Sequence, residues 1–104
     1  MAEIRWSLTS EEDLQGIEAT IARDSVIRAI NFVNHLIECA ETLQDGPSLG
    51  RVVPEFERED LREILVRDYR IVYLVVASRV TVLRVVHGAR DLPALAKREP
   101  WTFR

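Results

Sequence analysis

Residues 61–92 read LREILVRDYRIVYLVVASRVTVLRVVHGARDL, and this stretch decides the fold. Leucine, β-branched and aromatic residues fill three runs, at 61–67, 69–77 and 80–87, separated by Arg67-Asp68 and Ser78-Arg79. Apolar runs of this length with two-residue gaps predict a three-stranded antiparallel meander joined by tight hairpins. With Ser78 and Arg79 as the second loop, Ala77 faces Val80, Leu74 faces Leu83, Val72 faces Val85 and Arg70 faces His87. The last strand runs out into a basic loop, His87 to Arg90.

The period of two sorts these residues onto two faces. Val72, Leu74, Val76, Leu83 and Val85 share one. Ile64, Val66, Ile71, Tyr73, Val75, Val82 and Val86 share the other, with Arg62 and Arg84 at its margins. A sheet with one wet face alternates apolar and polar residues, so apolar residues on both faces mean that both are covered. The cover of the second face is either the tail, 92–104, or another polypeptide. The tail is short and interrupted by Pro93 and Pro100, so a partner chain is expected there.

Upstream, AEIRWSL alternates Ile4, Trp6 and Leu8 against polar residues and predicts a strand over 2–8. Thr9 stands three residues before Glu12, the spacing of a capping box, and predicts a helix over 10–23 with Leu14, Ile17 and Ile21 inward. Asp24 or Ser25 caps a second helix over 25–45, with a stripe of Val26, Ile30, Val33, Ile37 and Ala40 widened by Phe32, Leu36, Cys39 and Leu43. Gly46 and Pro47 end it. Residues 46–60, GPSLGRVVPEFERED, read as a long loop. The whole is one α+β domain over 1–104, an antiparallel helical pair packed on the meander.

The chain has 104 residues, 47% hydrophobic and 30% charged, and a net charge of -3; it reads as globular, and its surface as a whole does not attract nucleic acid. Acid gathers early, at Glu11, Glu12, Asp13 and Glu18. Arg62, Arg67, Arg70, Arg79, Arg84 and Arg90 enrich the meander, either as a basic face or as scattered solvated arginines. No apolar run reaches membrane-spanning length and no secretory pattern opens the chain, so a cytoplasmic location is expected. Cys39 is the single cysteine and reads as a small buried hydrophobe. His35 has no partner ligand at metal-binding spacing, and no metal, nucleotide or organic cofactor motif is present.

Four segments in order resemble the RelE/ParE superfamily of toxins from bacterial toxin–antitoxin pairs: GRVVPEF at 50–56, LRE at 61–63, YRIVY at 69–73 and HGARDL at 87–92. The resemblance spans about residues 3 to 95 and implies a toxin neutralised by an antitoxin that folds onto it. RelE-like members are ribosome-dependent mRNA endonucleases, whereas ParE-like members poison DNA gyrase. Arg70 and Arg90 match arginines of the RelE-like enzymes, and His87 is of a residue type that can serve as a base. The EFERED loop, however, is acidic where RelE-like enzymes carry lysines, and 92–99 holds no Tyr or His. An acidic loop repels mRNA phosphates. The resemblance therefore implies a ParE-like gyrase inhibitor with a ParD-like antitoxin, the alternative being a RelE-like enzyme acting on ribosome-bound mRNA through Arg70, Arg90 and His87. Candidate contacts to partner or target are Arg62, Arg70, Arg84, His87, Arg90, Trp101 and Phe32. Arg70 also has a purely structural reading, an ion pair with Glu63 or Glu55 that ties the loop to the sheet.

Overall fold

The computed structural model describes residues 1–98, so Trp101 lies outside the described residues. The chain runs β1 (Glu3–Trp6), α1 (Leu8–Ala22), α2 (Val26–Glu41), a 3-10 turn (Thr42–Gln44), β2 (Arg51–Val52), β3 (Leu61–Val66), β4 (Tyr69–Val76), β5 (Arg79–His87) and α3 (Leu92–Arg98). The five strands form one sheet in the order β1-β5-β4-β3-β2. The meander is present, and β1 joins it as a parallel edge strand on β5. A parallel partner requires a crossover, which the helical pair begins by carrying the chain from the β1 edge to the β2 edge.

The first hairpin turns at Arg67-Asp68 as expected, and the second turns one residue earlier than the sequence reading placed it. Val76 pairs with Arg79, so Ala77 and Ser78 are the loop. Ala77 and Arg67 each take a positive φ of 53° at the first loop position, the pattern of a type II′ turn, whose twist suits a hairpin. A register irregularity between Val72 and Tyr73 then leaves Leu83 as an extra residue on β5. Past that bulge Arg70 pairs with Val86 and Tyr69 with His87, correcting the expected pairing of Arg70 with His87. The bulge also exchanges two residues between faces. Val85 joins Val66, Ile71 and Val82 beneath the helices, while Val86 joins Val72, Leu74 and Leu83 on the far side.

Ser7, rather than Thr9, caps α1. Its Oγ accepts from the Ser10 amide at 3.0 Å and donates to the Leu83 carbonyl at 3.0 Å. Asp13 Oδ2 accepts from the Val85 amide at 2.9 Å and from Arg84 Nε at 2.9 Å. Helix α1 thus satisfies the β5 edge where β1 has ended, which an exposed edge would leave unpaired. Ser25 caps α2 by accepting from the Arg28 amide at 3.2 Å. The buried stripe of α2 is Ala29, Val33, Leu36 and Ala40. Val26 and Ile30, expected inside, are exposed together with Ile27.

The second face of the sheet is covered by the chain itself, which overturns the expectation that an uncovered face requires a partner. Val53, Phe56, Leu92 and Leu95 close over Leu61, Val72, Leu74, Leu83 and Val86. A helix of seven residues is not stable alone. Leu92 and Leu95 are 0% and 1% exposed, and burying each contributes about 1.5–3 kcal/mol, enough to dock it. Asp91 caps α3 by accepting from the Ala94 amide, and Pro93 falls in the first turn, where no amide donor is needed. The loop at 46–60 also holds more structure than expected: β2 pairs Arg51 with Glu63 and Val52 with Arg62.

Candidate functional site

Arg70 stands on β4 where three segments meet. Its Nη1 and Nη2 donate to Glu55 at 3.0 and 2.7 Å, and Nη1 also donates to Glu63 at 3.0 Å. Nε and Nη2 donate to the Gly88 carbonyl at 3.2 and 3.1 Å. One guanidinium therefore binds the PE turn, β3 and the loop leaving β5, using the planar fork that lysine lacks. The Glu63 side chain is 0% exposed and shares its other oxygen with Arg51 at 2.7 Å. The hydrogen bond from Arg70 holds the Glu55 carboxyl below its ordinary range. The same bond, followed by that to Glu63, raises Arg70 above its ordinary value against the opposing effect of burial. The structural reading of Arg70 is what the coordinates show, with both named carboxylates engaged.

Tyr73 fixes the entry to this loop. Its hydroxyl donates to the Pro47 carbonyl at 2.7 Å and accepts from the Gly50 amide at 2.9 Å. Burial raises its phenol, partly offset by the Gly50 donor. A Cβ on Gly50 would collide with the Tyr73 hydroxyl and the Glu63 carbonyl, which is why the GR segment opens with glycine. Arg62 donates to the Glu59 and Gly50 carbonyls, each at 3.0 Å, and so staples the same loop.

His87 and Arg70 line one shallow groove with Arg51, Leu65 and Arg67. Sequence reasoning was right to bring Arg70 and His87 close, although they are not cross-strand partners. Here the Glu55 and Glu63 carboxylates occupy the cation that would otherwise meet phosphate. His87 Nδ1 accepts from the Ala89 amide at 3.2 Å, and its ring meets Tyr69 edge-on at 5.7 Å. Arg90 is exposed on the following turn, its amide donating to the His87 carbonyl at 3.0 Å. Arg84 is buried and held by Asp13, so it presents no free charge. Arg79 pairs with Glu3. Of the six arginines that enrich the meander, Arg70, Arg79 and Arg84 are thus paired with acids from the N-terminal third, β3 and the loop.

Phe32 lies on the helical side. Its ring packs against Tyr69 at 5.6 Å, and the Arg67 guanidinium sits over it at 5.3 Å. These residues border an open cleft of about 540 Å³ between the end of α1, the start of α2 and the β3–β4 turn. The sequence reading named Phe32 but missed Arg28 and Arg67 beside it. Arg67 was legible as the turn residue preceding YRIVY, but its placement over Phe32 needs the positive φ that no sequence pattern announces. Cys39 is half-buried with Sγ 3.7 Å from His35 Nε2, and burial raises its thiol. Among the described residues no cluster of three or more His, Cys, Asp or Glu side chains is arranged to hold a metal. No helix among them is long and apolar enough to cross a membrane.

The site thus consists of a helical pair on one face of a predominantly antiparallel sheet, with an arginine-bound PE turn beside it. The chain belongs to the family described as ParE toxin of type II toxin-antitoxin system, parDE, whose model matches residues 4–92. Among solved structures it is similar to a chain of the "Chromosomal ParDE TA system from P. aeruginosa", with a TM-score of 0.71 and 19% identity, covering 84% of this chain and 96% of that one. At that identity the likeness speaks for the fold. No curated protein matches.

Proposed function

We propose that this ParE-family toxin inhibits DNA gyrase, and so replication, and that a ParD-like antitoxin neutralises it by direct binding. The observation that carries the reading is the state of Arg70. An endoribonuclease needs cations free to stabilise a charged phosphorane and a group placed to move the 2′-hydroxyl proton. Here the Arg70 guanidinium is committed to Glu55, Glu63 and the Gly88 carbonyl. Opening it to phosphate leaves Glu63 in the interior with only Arg51, a costly exchange. Family membership and the ParDE title of a structurally similar chain support the antitoxin half of the proposal.

Induced expression without an antitoxin tests the reading. Filamentation and a DNA-damage response are the expected outcome. Rapid translation arrest with codon-boundary cleavage of ribosome-bound mRNA, and no DNA-damage response, contradicts it.

A further inference from the structure

The chain is acidic overall, and half of its described arginines are held by carboxylates. Arg5, Arg51, Arg58, Arg70, Arg79 and Arg84 all form ion pairs with carboxylates. Two arginines that have no carboxylate partner among the described residues, Arg28 and Arg67, border the same cleft. Between them lie Ile21, Phe32 and Tyr69, an apolar and aromatic floor. Arg67 reaches its place from a backbone φ of 53°, a conformation that disfavours a bulky side chain and persists only where the surroundings fix it. Its guanidinium over the Phe32 ring is one such fixing contact. Asp68 also borders the cleft, so the local balance is one net positive charge on a molecule of net charge -3.

We propose that this cleft is the anchor point for the antitoxin, which inserts a large apolar side chain against Phe32 and Tyr69 and sets acidic residues against Arg28 and Arg67. The proposal rests on the antitoxin reading above and adds the place and the chemistry. Charge complementarity selects the occupant: an apolar floor alone admits any hydrophobic segment, but two guanidiniums at its rim without a carboxylate partner among the described residues favour one flanked by carboxylates. An aromatic or aliphatic anchor in a pocket rimmed by charge is also where interface energy concentrates. The exposed Val26, Ile27 and Ile30 on the same half of α2 offer apolar surface along which such a segment continues.

The test uses the full chain and the ParD-like antitoxin of the reading above, with affinity measured by calorimetry at two salt concentrations. Arg28→Glu/Arg67→Glu reverses two exposed charges. Arg79→Glu, at the start of β5 beside the other hairpin turn of the meander, is the control, and circular dichroism checks that each variant folds. The double reversal is expected to weaken binding by at least about 30-fold and to flatten its salt dependence, while the control stays within about 3-fold. A second variant, Phe32→Leu, keeps the site apolar but removes the ring and is expected to weaken binding by about 10-fold. Wild-type affinity in the folded double reversal overturns the cleft assignment and leaves the antitoxin reading standing. Failure of the wild-type chain to bind overturns both.

Discussion

Replacing Arg70 by methionine removes the guanidinium and keeps much of the side-chain bulk, so the loss measures the clamp rather than a cavity. The Glu55 arm contributes little, because that carboxylate is 27% exposed and a solvent-accessible pair is worth about 1 kcal/mol or less. The Glu63 arm dominates. Its carboxylate is fully enclosed, and leaving a buried charge without its partner costs about 3–5 kcal/mol. Arg51 stays bound to Glu63 at 2.7 Å and offsets part of this, which places the expected loss at the lower end, about 3 kcal/mol. With a urea slope of about 1–3 kcal/mol/M for a domain this small, the midpoint falls by about 1–3 M. Arg90→Met, at an exposed turn position, shifts stability by no more than about 0.5 kcal/mol. Adding Glu63→Gln to Arg70→Met recovers part of the loss, since a neutral amide is cheaper to enclose than an orphaned charge. A midpoint for Arg70→Met within about 0.3 M of wild type, on a slope of that size, refutes the buried-clamp argument.

Three further outcomes follow from the same geometry. Glu55 has its folded pKa lowered from 4.5 by Arg70, so its stabilisation is fully present above that ordinary value and lost as pH falls through the lowered one. The stability gap between wild type and Glu55→Gln should therefore close on acidification, as read from urea midpoints across that range. Gly50→Ala drives a Cβ into the Tyr73 hydroxyl and the Glu63 carbonyl; a loss of about 2 kcal/mol or more is expected in thermal melts, and an unchanged melt contradicts the packing. Leu95→Ala empties the contact that docks α3, and should cost about 2–4 kcal/mol and speed amide exchange in 92–98 relative to β4.

The meander was legible because its residues are chosen for a pleated, buried surface, and the second helix because Ser25 caps it and Val33, Leu36 and Ala40 follow the helical period, although Val26 and Ile30 of the expected stripe are exposed. Less legible features depend on a contact distant in sequence. Thr9 and Glu12 have the spacing of a capping box, yet Ser7 wins the cap because the β5 edge holds its hydroxyl. The bulge at Leu83 is invisible in an unbroken apolar run, and it alone moves Val85 and Val86 to opposite faces. β2 is two residues long, too short for any periodicity. α3 did carry a signal, an Asp91 cap, a first-turn proline and Lys97 and Arg98 at its end, but Pro93 read as an interruption. At the site, Arg70 was foreseen in its structural role because it stands beside Tyr69 at the start of a strand, where it can tie the loop carrying Glu55 to the sheet. Arg28 and Arg67 were not singled out, since that they lack a carboxylate partner among the described residues shows only in the folded chain.

In the function proposed above, the toxin acts on gyrase through a surface that does no phosphate chemistry of its own. Purified gyrase supercoiling relaxed plasmid in the presence of the toxin, with and without its antitoxin, measures this directly. Loss of supercoiling that Arg70→Met retains whenever the variant is folded, and that the antitoxin reverses, is the predicted result. Unimpaired supercoiling, with cleavage of ribosome-bound mRNA that Arg70→Met abolishes, would contradict it.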